Sequence, residues 1–187
     1  MTPTPAFSPV DLHSRSLSVR LLAVAFGTVL LAISSRIEVP MVPVPVTMQT
    51  FTVAMIGALY GWRLGTLTVL AWLGQAALGL PVLAGGAGGL AHFAGPTGGY
   101  LVAFAVMAAL IGWLAERGWN GDRAGLAFLS MLAGNLICLA MGAAWLSRGI
   151  GWDAAITHGV LPFLVGAVLK SAVGALALRQ LGRPRRA

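Results

Sequence analysis

The sequence predicts an all-α integral membrane protein with six transmembrane helices, and three observations support this fold class. Of the 187 residues, 58% are hydrophobic and only 9% are charged, which is typical of membrane proteins rather than soluble domains. Apolar runs near the length of a membrane-spanning helix recur along the chain, without the short alternating segments of a barrel. The arginines lie at the ends of these runs. We therefore expect one six-helix membrane domain over residues 1–187, with residues 1–16 as a loose leader.

Turn residues between the apolar runs place the helices in order. The first run is too long for the apolar region of a signal peptide and lacks a convincing cleavage site, so it is expected to remain as a helix. Pro40, Pro43 and Pro45 follow, and three prolines within six residues exclude a regular helix. A tight turn at residues 61–63 separates two runs that are short for a full crossing. The expected helices cover residues 17–35, 48–60, 64–78, 98–115, 124–146 and 160–181.

The arginines also predict the orientation in the membrane. Six crossings place both termini on one side, together with nine arginines, and leave only Arg36 and Arg148 on the other side. The positive-inside rule makes the nine-arginine side cytoplasmic, so we expect a multi-pass protein of the cell inner (cytoplasmic) membrane. The net charge of +7 is thereby explained, and no nucleic-acid partner is expected. The proline-rich loop, the following glycine-rich loop and residues 147–157 face outward.

The glycine-rich loop, Leu80 to Tyr100, is unusual for a membrane protein. It holds seven glycines, two prolines and no charged residue. Irregular backbone at membrane depth is tolerated only where protein buries it or where it lines a cavity. Glycine also lets backbone approach a ligand closely. A flexible linker is the alternative, but the loop lacks serine and charge and carries apolar residues that would pack. We therefore interpret the proline and glycine loops as covering an outward-facing ligand pocket.

Lys170 is the main candidate for ligand binding. It is the only lysine, lies about ten residues from either end of the sixth apolar run, and has no acidic neighbour one helical turn away. A charge within the membrane costs several kcal/mol unless it is paired or hydrated, so a functional role is favoured over snorkelling to the interface. A lone buried cation suits an anionic ligand group such as a carboxylate. Helical spacing places Phe163, Gly166 and Ala167 on the same face.

Other residues leave more than one interpretation open. Trp145 could form an apolar wall of the pocket or belong to the interfacial tryptophan belt. Ala23 and Gly27 are four residues apart, a spacing that allows helices to pack closely, either within the chain or against a partner. Cys138 is expected to pack in the interior. No metal site is expected, since the outward histidines lack ligand partners at suitable spacing.

Missing motifs limit the chemistry. The sequence has no phosphate-binding loop of the form GxxxxGK[ST], so uphill transport would need energy from another protein. It also has no GxSxG motif, and its histidines lie in loops, so an intramembrane enzyme is not expected. No cofactor is expected either.

Four motifs together resemble the BioY family, the biotin-specific substrate-binding (S) component of energy-coupling factor (ECF) transporters. They are VPVPVTMQTF, GLPVLAGGAGGLAHFAGPTGGY, GAAWLS and PFLVGAVLKS, and their order and spacing match over nearly the whole chain. The resemblance implies a six-helix protein that binds biotin with high affinity from the outside. It also implies partners: a transmembrane coupling protein and two cytoplasmic ATPases.

The resemblance further implies site residues. Lys170 would contact the valerate carboxylate of biotin, and Ala23 and Gly27 would dock the coupling protein. The other implied substrate-binding residues are Gln49, Gly85, Gly86, Gly88, Gly89, Tyr100 and Trp145.

The chain also departs from the family pattern. In the sixth helix, Val165 replaces a usual proline and Ala167 a usual aspartate, and Ala87 stands where members often carry a polar residue. A stand-alone carrier of biotin or another small organic anion, working without ATPases, is the alternative function.

Overall fold

The computed structural model describes residue 12 and residues 15–182, and most of the expected leader lies outside them. Most of this part of the chain is helical. Five of its helices are long and apolar enough to cross a membrane by length and composition. The elements in chain order are α1 (Leu17–Ser34), β1 (Glu38–Val39), β2 (Val46–Thr47), α2 (Gln49–Ala77), α3 (Ala91–Ala94), α4 (Gly98–Glu116), α5 (Ala124–Ile150), α6 (Trp152–Gly159) and α7 (Leu161–Gly182).

Helix α2 contains both the second and the third expected helices, and the chain reverses direction between them at Gly61. Gly61 has φ 76° and ψ 173°, which breaks the helix in a conformation that favours glycine. A Cβ on Gly65 would lie 3.1 Å from the Gly57 Cα, whereas eight residues of straight helix span about 12 Å. The two arms of α2 therefore form a tight hairpin. With α1, α4, α5 and α7 they make the six helices that the sequence predicts.

Small residues set the spacing between these helices. A Cβ on Gly57 would lie 2.7 Å from the Ala108 carbonyl oxygen, so α2 and α4 approach backbone to backbone. A Cβ on Gly27 would lie 2.5 Å from Thr68 Cγ2 of α2. The carbonyl of Ala23 accepts a hydrogen bond from the hydroxyl of Tyr60, at 3.0 Å. Packing within the chain therefore accounts for the spacing of Ala23 and Gly27, and their role in docking a partner stays a prediction.

The segments expected to face outward contain more regular structure than the sequence predicts. The proline loop forms an antiparallel hairpin in which Glu38 pairs with Thr47 and Val39 with Val46. Helix α5 continues to Ile150, and α6 follows after Gly151, which has φ 80°. Much of residues 147–157, expected as a loop, is therefore helical.

Candidate ligand-binding site

A cavity of about 290 Å³ lies among the helix ends that carry the two irregular loops, beneath those loops. The proline hairpin contributes residues 43–47 to its wall, and the glycine loop contributes Leu83, Ala84 and Ala87. The later part of the glycine loop adds His92, Pro96 and Thr97, and helices α2, α4, α5 and α7 supply the remainder. Most of the lining is apolar, as in small-molecule sites, with a few polar groups among it. The sequence-based expectation that both loops cover a pocket therefore agrees with the geometry.

Lys170 lines this cavity from α7, and the proline hairpin holds its ammonium group. Nine residues of helix place Lys170 about 14 Å along α7 from Leu161. Its Nζ donates to the carbonyl oxygen of Thr47 and to Thr50 Oγ1, the latter at 3.1 Å. An ammonium group has three donors, so these two bonds leave one for a ligand. Both partners are neutral, and thus the positive charge itself is not compensated by them.

Gln49 lines the cavity at the first residue of α2. Its Oε1 accepts a hydrogen bond from Thr47 Oγ1 at 2.9 Å, and its backbone N–H donates to the same hydroxyl at 3.3 Å. The side chain is buried, and its Nε2 has no hydrogen-bond partner among the described residues. Leaving a buried donor unpaired costs about 1–3 kcal/mol. An unpaired amide group in a cavity wall is therefore suited to an acceptor on a ligand.

Tyr100 contributes the face of its ring to the cavity. Its hydroxyl donates to the Gly159 carbonyl oxygen at 2.8 Å, so that group already has a partner outside the cavity. The ring stacks on Phe163, with centroids 6.4 Å apart and an interplanar angle of 28°. Phe163 also lines the cavity, so the two rings form one aromatic wall. The geometry suits Tyr100 to packing against a ligand rather than to hydrogen bonding with it.

The glycines of the glycine-rich loop set the backbone path of the segment that covers the cavity. Gly85, Gly86 and Gly89 all have positive φ angles, between 64° and 93°. A Cβ on Gly88 would overlap the backbone of Leu80 and Gly79. The neighbours of these glycines, Ala84 and Ala87, line the cavity. The four glycines therefore determine the path of the cover, and direct contact between them and a ligand stays a prediction.

Residues just after α1 connect the glycine loop to the proline hairpin. Glu38 Oε2 accepts from the backbone N–H of Gly85 at 3.1 Å, and Arg36 donates to the carbonyl oxygen of Pro81 at 2.8 Å. The hydroxyl of Ser35 donates to the carbonyl oxygen of Val82, also at 2.8 Å. These three bonds, which we name the loop clasp, hold the cover of the cavity against the hairpin.

Trp145 supports the site from outside the cavity lining. Its indole N–H donates to the carbonyl oxygen of Gly95 at 2.9 Å, and its side chain packs directly against Gly99. Arg148 lies over its ring at 5.2 Å from the centroid. Trp145 thus fixes the end of the glycine loop at the start of α4. Its direct contact with a ligand stays a prediction.

Several cavity residues were not among the expected site residues. Asn135 and Cys138 face the cavity from α5, and His92 faces it from α3. Asn135 stood out in the sequence only as a polar residue in the middle of an apolar run, and Cys138 as one packing residue among many. Ala87 and Ala167, two of the three departures from the family pattern, also line the cavity. The positions where members often carry polar side chains are therefore apolar in this cavity.

Comparison with known proteins agrees with this architecture. Residues 8–187 match the model of the BioY family. A probable biotin transporter BioY of Pyrococcus horikoshii is 37% identical over 84% of this chain and 93% of its own length. The biotin transporter BioY of Rhizobium etli is 38% identical over 83% and 88%, respectively.

A solved structure shows the same fold. It is the 2.1 Å crystal structure of the S-component for biotin from an ECF-type ABC transporter, with a TM-score of 0.80 and 31% identity. The match covers 90% of this chain and 94% of that one. The family match over nearly the whole sequence, together with these relatives, shows that the chain belongs to the BioY family.

Proposed function

We propose that this protein binds biotin and takes it up across the membrane as the S component of an ECF-type transporter. The observation that carries this proposal is a cation, Lys170, in an otherwise mostly apolar cavity beneath two outward loops. The names of the relatives support biotin as the substrate. These relatives are transporters, which is consistent with a protein that is not an enzyme.

Biotin joins an anionic valerate chain to a neutral bicyclic ring, and the cavity offers a counterpart for each part. The remaining donor of Lys170 and its uncompensated charge suit the carboxylate. The apolar ring system suits the aromatic wall of Tyr100 and Phe163. Gln49 Nε2, which lacks a partner, suits the ureido oxygen. In this assignment Lys170 takes the place of the water that the biotin carboxylate loses on binding, because a buried carboxylate requires a partner for its charge.

We further propose the orientation and the partners that the sequence predicts. The described basic residues Arg63, Arg117 and Arg123 lie near ends of helices opposite the cavity, which supports placing that side in the cytoplasm of an inner-membrane protein. Energy would come from a coupling protein and two cytoplasmic ATPases. Because Gly27 packs against α2, a tryptophan there would disturb the fold. Ala23 is only partly buried, and exposed Leu22 and Phe26 lie beside it on α1 as neighbouring candidates for the docking surface.

The decisive experiment is calorimetric titration of the purified full chain with biotin and with biotin methyl ester, for the wild type and Lys170→Met. Removing one member of a buried charge pair costs about 2–5 kcal/mol, which is a factor of about 30 to several thousand in affinity. We expect that loss for biotin with the variant and for the ester with the wild type. We also expect the variant to discriminate little between the two ligands.

Arg148→Met is the matched control, because Arg148 is an outward cation that lies over Trp145 outside the cavity lining. It should bind biotin like the wild type. Wild-type protein that does not bind biotin would contradict the proposed substrate. Equal affinity for acid and ester would keep biotin and remove Lys170 from the carboxylate role. Biotin uptake into liposomes that contain this protein alone would favour the stand-alone carrier.

A further inference from the structure

Asn135 is a buried polar side chain in the cavity wall to which the proposed function assigns no role. It lies midway along α5 and is 4% exposed. Its Nδ2 donates to the carbonyl oxygen of Met131 at 2.9 Å and to Ser171 Oγ at 3.3 Å. A backbone carbonyl can only accept, so the contact with Met131 fixes the amide with its nitrogen toward the helix. Both described hydrogen bonds of the amide are donated by Nδ2, which leaves Oδ1 to accept.

Asn135 Oδ1 is a hydrogen-bond acceptor, whereas the two polar groups already assigned to the ligand are donors. Lys170 Nζ and Gln49 Nε2 are donors, and they match oxygen atoms on a ligand. An amide oxygen cannot bind a carboxylate oxygen, since neither carries a hydrogen. Asn135 Oδ1 therefore matches an N–H or O–H group on the ligand. Its surroundings in the cavity wall, Leu139 and Cys138, offer no comparably strong acceptor.

We propose that Asn135 Oδ1 accepts a hydrogen bond from a ring N–H of the ligand and is a specificity-determining group of this cavity. The class of ligand it selects is a cyclic urea or cyclic amide with an acidic side chain. This inference rests on the proposed function, because the ureido ring of biotin carries two N–H groups. A site that binds a substrate N–H rejects analogues without it strongly, since its own polar group is then left unpaired.

The test compares biotin with lipoic acid on the full chain. Lipoic acid carries the same acidic chain on a sulfur ring without N–H groups. Competition against labelled biotin would measure the ratio of the two dissociation constants in the wild type, Asn135→Leu and Asn135→Gln. Ser130→Ala is the matched control, because Ser130 is a buried polar residue of the same helix that lies outside the cavity lining. A ratio from one preparation does not depend on how much of the protein is folded.

We expect the wild type to prefer biotin at least 100-fold. Asn135→Leu should lower that ratio at least tenfold, mainly by weakening biotin. Asn135→Gln keeps an amide with both a donor and an acceptor and should retain more of the preference than Asn135→Leu, and Ser130→Ala should change the ratio less than threefold. A ratio unchanged in Asn135→Leu, or lowered equally by Leu and Gln, would overturn the role of Asn135 while biotin binding stands. Wild-type protein without biotin affinity would overturn this inference together with the proposed function.

Discussion

Replacing Tyr100 by phenylalanine removes one hydroxyl and keeps the aromatic ring that lines the cavity. The hydroxyl donates to the Gly159 carbonyl oxygen at 2.8 Å in a buried position. Losing this bond and leaving the carbonyl unpaired should cost about 1–3 kcal/mol of folding free energy. For a chain of this size, 1 kcal/mol corresponds to about 2–4 °C in the unfolding temperature. We therefore expect Tyr100→Phe to unfold roughly 2–12 °C lower and to bind biotin within threefold of the wild type.

Tyr60→Phe is the matched control for the loss of a hydroxyl. The Tyr60 hydroxyl bonds the Ala23 carbonyl oxygen at 3.0 Å, away from the cavity. Tryptophan fluorescence during heating would report unfolding in detergent, and calorimetry would report biotin affinity. The reasoning would be refuted if Tyr100→Phe lost tenfold or more in affinity at an unchanged unfolding temperature. That result would mean that the hydroxyl contacts the ligand rather than Gly159.

Three further predictions concern the cover, the packing and the wall of the cavity. Glu38→Gln replaces the charged acceptor of the Gly85 N–H by a neutral one and so weakens this hydrogen bond. Biotin should then dissociate about 3- to 10-fold faster in stopped-flow measurements, and an unchanged rate would argue against the loop clasp. Gly99→Ala overlaps the neighbouring tryptophan and should cost about 1–3 kcal/mol, whereas Gly149→Ala, in open space, should be neutral or stabilising in the same heating assay. Cys138 should react at least tenfold more slowly with a small methanethiosulfonate when biotin saturates the cavity; identical rates would contradict its placement in the wall.

The helices and their order could be predicted from the sequence because the bilayer imposes strong local rules. Each crossing needs a long apolar run, and the ends of the runs are marked by residues with their own conformational preference. Gly61 is an example, since its positive φ ends one arm and begins the next, as the expected turn requires. Lys170 was identifiable for the same reason, because an ionisable residue in such a run is rare and costly. The proline hairpin could not be predicted, because its register depends on pairing between residues seven and nine positions apart.

The role of single residues depended on which neighbours the fold brings to them. Tyr100 and Trp145 were selected by motif, but their polar atoms contact Gly159 and Gly95, far away in the sequence. The spacing of Ala23 and Gly27 fits a partner helix as well as it fits α2, and only the contact with Thr68 shows which helix Gly27 packs against. Asn135 has one of its contacts 36 residues away, at Ser171. The membrane class, the six expected helices and their order, and the buried cation could be predicted from the sequence alone, because these follow from local composition and the cost of charge in hydrocarbon. The fold was needed to show which side chains line the cavity and which polar atoms remain for a ligand, because hydrogen bonds form between neighbours in space rather than in sequence.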